Sequence, residues 1–66
     1  MSLLDALEWE YSMFWRNVEV GQDPLTEFVK QRLPNSSTTD RIMLRTLCSL
    51  RDRADVFDKL TERHTT

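Results

Sequence analysis

Residues 37–63, STTDRIMLRTLCSLRDRADVFDKLTER, contain neither glycine nor proline. Their apolar positions decide the fold class. Met43, Leu47, Leu50, Ala54, Phe57 and Thr61 recur at alternating steps of four and three, the spacing of a seam between helices packed nearly parallel or antiparallel. Ile42 and Leu60 widen that side. Ser37 or Thr38 is placed to cap the segment and Asp40 suits its first turn, where a carboxylate meets the positive end of the helix dipole. The stretch therefore predicts one long helix over about 39–63, followed by a polar tail at 64–66. At about 1.5 Å per residue that helix is roughly 37 Å long.

The N-terminal part repeats the pattern. Leu4, Leu7, Tyr11, Phe14 and Val18 form a second seam, and Ser2 with Asp5 three residues on reads as a capping pair. Gly21 is placed to supply a left-handed end. A first helix is thus expected over about 3–20. Asp23-Pro24 reads as a cap followed by proline at the first helical position, opening a short second helix over about 24–33 that Pro34 ends. Residues 34–38 form the loop. Leu25, Phe28, Val29 and Leu33 of the short helix are expected to cover the excess length of the C-terminal one. No strand-like alternation and no repeat occurs, so the chain reads as a single all-α domain, a helical hairpin of long N-terminal and long C-terminal helices.

A chain of 66 residues buries only about 60% of the surface its unfolded form exposes, and small domains compensate with disulfides, metals or self-association. One cysteine, Cys48, forms no internal disulfide, and one histidine, His64, makes no zinc site. Association is the remedy left, and it predicts a homodimer that completes a helical bundle. No apolar run approaches the roughly 18 residues of a membrane span, and the N-terminus lacks a signal-peptide layout. The expected setting is the cytoplasm, or the cytoplasm of a host cell, with no membrane partner.

Helix 1 carries a second apolar stripe. At about 100° per residue, Ala6, Trp9, Met13 and Val20 fall opposite the main seam, and a helix apolar on two faces needs a second surface to cover it. These four residues are the candidate dimer or partner interface, with Trp9 as its anchor because large rigid aromatics dominate binding energy. Phe14 and Trp15 border the main seam and are expected in the core.

Charge is uneven. Residues 1–28 set the single cation Arg16 against six carboxylates, whereas residues 29–66 set eight cations against five carboxylates. Such asymmetry suits either an anionic partner for the C-terminal half or attraction between the two halves. Arg41, Arg45, Lys59 and Arg63 would line one side of a continuous C-terminal helix, a stripe able to track phosphates. Asp52, Asp55 and Asp58 dilute it and read as a solvated face.

Catalysis, cofactors and metals have no support. Acid-base and nucleophilic sites need an activated His, Cys or carboxylate pair, and Cys48 has no second histidine to activate it; it reads as a small packing residue. The residues Ser36 to Thr39 are accounted for by capping. The expected function is a small non-enzymatic adaptor or regulator that binds a larger protein through a dimeric helical bundle. The alternative is a dimeric binder of duplex RNA or DNA that uses the basic stripe, read largely by shape. A structural assembly subunit is a third class.

Overall fold

A computed structural model describes residues 2–62. It contains four helices, α1 (Leu3–Phe14), α2 (Pro24–Arg32), α3 (Thr38–Ser49) and α4 (Ala54–Thr61), and no strand among the described residues. Short 3-10 turns, Trp15–Asn17 and Leu33–Asn35, extend α1 and α2. All-α architecture is as expected from the sequence. The polar tail expected at 64–66 lies outside the described residues.

Both capping boxes form. The Ser2 hydroxyl accepts from the Asp5 N–H at 3.1 Å while the Asp5 carboxylate accepts from the Ser2 N–H at 3.4 Å; Ser37 and Asp40 repeat the exchange at 3.2 Å each way. Reciprocal bonds of this kind satisfy donors that the first helical turn leaves open. Each helix therefore begins at the residue after its serine.

The first helix is shorter than its expected span of 3–20. Its α-helical part ends at Phe14, and after the 3-10 turn the chain becomes extended at Val18 (φ −82°, ψ 137°). Asn17 and the two valines are weak helix formers, and the Asn17 side-chain amide donates to the Met13 carbonyl at 3.3 Å, satisfying one of the last open acceptors. Gly21 does not cap α1. It stands at φ +97° in a turn closed by Gln22 N–H to Glu19 C=O at 3.1 Å.

The larger correction concerns the C-terminal helix expected over 39–63, which is two helices. Asp52 has φ +59°, and around it the Arg53 N–H donates to Cys48 C=O at 2.8 Å while the Asp52 N–H donates to Ser49 C=O at 3.0 Å. That pair of bonds is the Schellman termination, with aspartate in the left-handed position that glycine usually fills. The physical reason lies in the short first helix. A straight helix of some 37 Å would outrun α1, and its second half would have nothing to pack on; a short helix without packing is marginal in water. Bending instead buries Val56 and Phe57 of α4, with α4 packed on both α2 and α3. Leu50, a seam position in the unbroken reading, is 64% exposed, and Ile42 also faces outward. Relief of the left-handed strain is expected from Asp52→Gly, raising unfolding free energy by about 0.5–1 kcal/mol, whereas Asp52→Val should lower it by about 1–2 kcal/mol; urea denaturation checks both.

The helix expected to act as a cover is the centre of the core. Leu25, Phe28 and Val29 of α2 are buried, together with Leu7 of α1, Leu44, Leu47 and Cys48 of α3, and Val56 and Phe57 of α4. Tyr11 and Phe14 present their rings to Phe28 at centroid distances of 5.2 and 5.3 Å, tilted and edge-on, the arrangement that the aromatic quadrupole favours. Trp15, expected in the core, is half exposed.

Candidate interaction face on the first helix

The inner edge of α1 is set by Leu7, Tyr11 and Phe14, which meet the core. Its two flanks are tied down by ion pairs. On one side Arg51, in the bend before α4, grips Glu8 with both terminal nitrogens, one of them at 3.1 Å, and that nitrogen also donates to Leu47 C=O at 3.0 Å. The guanidinium lies 4.8 Å from the centre of the Tyr11 ring. On the other side Arg32 pairs with Glu10 and sits 5.1 Å above the Phe28 ring. A third pair joins Arg53 to Asp23 at 2.8 Å, across α4 and the start of α2. Of the two consequences drawn from the charge asymmetry, attraction between the halves is thus present in the fold: each pair links a carboxylate from residues 1–28 to an arginine from residues 29–66.

Pairing leaves electrostatic traces. The hydrogen bond to Glu8 holds the Arg51 guanidinium above its ordinary range, and burial pushes the Tyr11 phenol up. Asp23 is held below the usual carboxylate range, first by the Thr26 hydroxyl, which donates to it at 2.6 Å, and then by Arg53. A depressed carboxylate contributes stability above its unfolded pKa, and the contribution is lost as pH falls through the folded value. Unfolding free energy is therefore expected to be level in this respect above pH about 5 and to decline below about 4, and Asp23→Asn should flatten that acid limb in urea titrations at stepped pH.

With its inner edge and both flanks engaged, α1 leaves its outer side open. Trp9 is 64% exposed and Met13 48%, one turn apart, with Ala6 partly buried beside them. A shallow groove runs from this pair toward α2, lined by Trp9, Met13, Phe14, Phe28, Gln31 and Arg32. Three of the four residues singled out from the sequence therefore share one helix face. Val20 does not join them: it lies beyond the end of α1, in the turn before Gly21, because the helix stops at Phe14, six residues before it.

The basic residues are distributed differently. Arg41 and Arg45 are exposed one turn apart on α3, and neither forms an ion pair with another described residue. Lys59 is exposed on α4, beyond the bend, so the stripe along one straight helix does not exist. Arg63 lies outside the described residues. Cys48 is fully buried and burial pushes its thiol pKa up, the condition of an inert packing cysteine. Among the described residues no group of three His, Cys, Asp or Glu side chains is arranged to hold a metal ion, and no helix is long and apolar enough to cross a membrane.

No protein-family model matches the chain, and no curated protein or solved structure resembles it significantly.

Proposed function

We propose that this chain is a small non-enzymatic adaptor or regulator that acts by binding protein, with the outer face of α1 as its contact surface and a dimeric helical bundle as its working form. One observation carries the reading. Trp9 stands largely in solvent beside Met13, on a helix whose other three sides are held by core packing and by the Glu8–Arg51 and Glu10–Arg32 pairs. Rigid presentation of an aromatic anchor lowers the ordering cost of association, and tryptophan beside methionine is the composition of interface centres. The surrounding polar groups, Asn17 and Gln31, suit a rim.

The duplex-binding alternative has narrower support. Arg41 and Arg45 are the two exposed, unpaired cations of the predicted stripe that share a helix, and a binder of phosphate backbones gains affinity with each simultaneous contact; the bend takes Lys59 off that helix. Arg32, Arg51 and Arg53 are engaged with carboxylates.

Immobilised parent chain and Trp9→Ala chain, exposed to the same cell extract, separate these readings. Proteins identified by mass spectrometry on the parent and lost from the variant support protein binding through α1. Retained material with a 260-to-280 nm absorbance ratio of nucleic acid, released by salt and abolished by replacing Arg41 and Arg45 with Ala, overturns it.

A further inference from the structure

Apart from its apolar pair, the outer side of α1 has an order of charges and sizes that is complementary to itself when reversed. Asp5, Trp9, Ser12 and Arg16 follow one another at steps of four, three and four, which is the spacing of a two-helix seam. Asp5 and Arg16 are exposed, and Arg16 forms no ion pair with another described residue. Backbone at Phe14 and Trp15 stays right-handed helical, so Arg16 continues the face beyond the last α-helical residue. The seam thus reads acidic, large, small, basic from N- to C-terminus.

We propose that a second copy of this chain docks on this face, α1 against α1 and antiparallel, about a two-fold axis between residues 10 and 11. The proposal rests on the protein-binding reading above and names its occupant. In that register Asp5 of each copy opposes Arg16 of the other, and Trp9 of each opposes Ser12 of the other. A two-fold contact requires that residue i meets j while j meets i, and the four positions meet that condition with opposite charges in the end layers and a large residue against a small one in the middle layers. The Ser12 hydroxyl already donates to the Trp9 carbonyl at 2.7 Å, so its burial leaves no donor unsatisfied. Ala6 and Met13 flank the seam on one side. A parallel pairing would set Asp5 against Asp5 and Arg16 against Arg16, which charge repulsion disfavours.

Size sets the strength. A tryptophan offers ~150–250 Å², so a face of one tryptophan, one methionine and their small neighbours falls well below the roughly 800 Å² per partner of a standard interface. The dimer is therefore a weak one, formed at micromolar rather than nanomolar concentration.

Sedimentation equilibrium on the parent, Asp5→Lys, Arg16→Glu and the double variant tests the register, with circular dichroism to follow the fold. The parent is expected to reach twice the 7.9 kDa chain mass as concentration rises. Each single variant should dimerise at least about tenfold more weakly, since each creates two like-charge contacts, and both the double variant and an equimolar mixture of the two singles should recover association. The double variant carries the same loss of the Ser2–Asp5 cap as Asp5→Lys, so recovery is not a capping effect. If capping loss unfolds both, Arg16 stands outside the cap, and Arg16→Glu must weaken the dimer more than Arg16→Gln. A parent monomeric to millimolar concentration, equal dimerisation of all variants, or no recovery by folded charge-reversed pairs overturns the proposal. A monomeric parent that still captures protein through Trp9 leaves the outer face of α1 standing as a protein-binding surface and removes the dimer, both as working form and as the occupant of that face.

Discussion

Replacing Phe28 with alanine is expected to leave the chain largely unfolded at 25 °C. Phe28 is fully enclosed at the centre of α2 and receives the Tyr11 ring, the Phe14 ring and the Arg32 guanidinium. Phe→Ala at a buried site costs about 3–5 kcal/mol, from lost transfer energy and the cavity left behind. A domain of this size holds about 3–10 kcal/mol in total, so most or all of the margin disappears. Far-UV circular dichroism and urea titration check it; a cooperative transition within about 1 kcal/mol of the parent would show that α2 is not the centre of the core.

The next largest effect separates two neighbouring leucines. Leu47 is fully buried and Leu50 is 64% exposed, although the unbroken seam places them equally. Leu47→Ala is expected to lower unfolding free energy by about 2–5 kcal/mol and Leu50→Ala by no more than about 0.5 kcal/mol. Equal large losses would mean that the helix runs on through residues 50–53 and that its seam is buried along its whole length. Chemical denaturation of the two variants under one set of conditions decides it.

That contrast also marks where sequence reading stopped. Helical class, the Ser2 cap, a cap at Ser37 or its neighbour Thr38, Pro24 at the start of α2 and the burial of Leu7, Leu25, Phe28, Val29 and Leu47 follow from spacing and capping chemistry alone. The break after α3 does not, because the residue that takes the left-handed conformation is Asp52, set between two arginines with no glycine to announce it. Heptad steps count residues along one axis and continue unchanged across a bend, so Leu50 kept a place in the seam that the fold does not give it. The early end of α1 was better marked: Asn17, Val18 and Val20 are poor helix formers, yet Gly21 drew the expected boundary past them and took Val20 with it.

The exposed apolar pair on α1 was legible for the same reason the core was. Trp9 and Met13 differ by four residues and lie within one helix that holds its expected register through Phe14, so their shared exposure follows from the 3.6-residue period. What the sequence left open was how α1 is held. Charge imbalance pointed to the two halves of the chain without choosing partners; the choice of Arg51 for Glu8 and Arg32 for Glu10 comes from tertiary geometry, with Tyr11 and Phe28 supplying the rings that the guanidinium groups cover.

The central claim is that Trp9 serves binding and Phe28 serves folding. Its most direct test is a pair of measurements on Trp9→Ala: urea unfolding monitored by circular dichroism at a dilution where the chain is monomeric, and retention of the protein bound by the parent chain. The expected result is an unfolding free energy within about 1 kcal/mol of the parent, as for an exposed position, with affinity for the partner reduced about thirtyfold or more, the loss typical of a hot-spot aromatic. A variant that unfolds outright, or one that folds and binds as tightly as the parent, would contradict the assignment of α1's outer face.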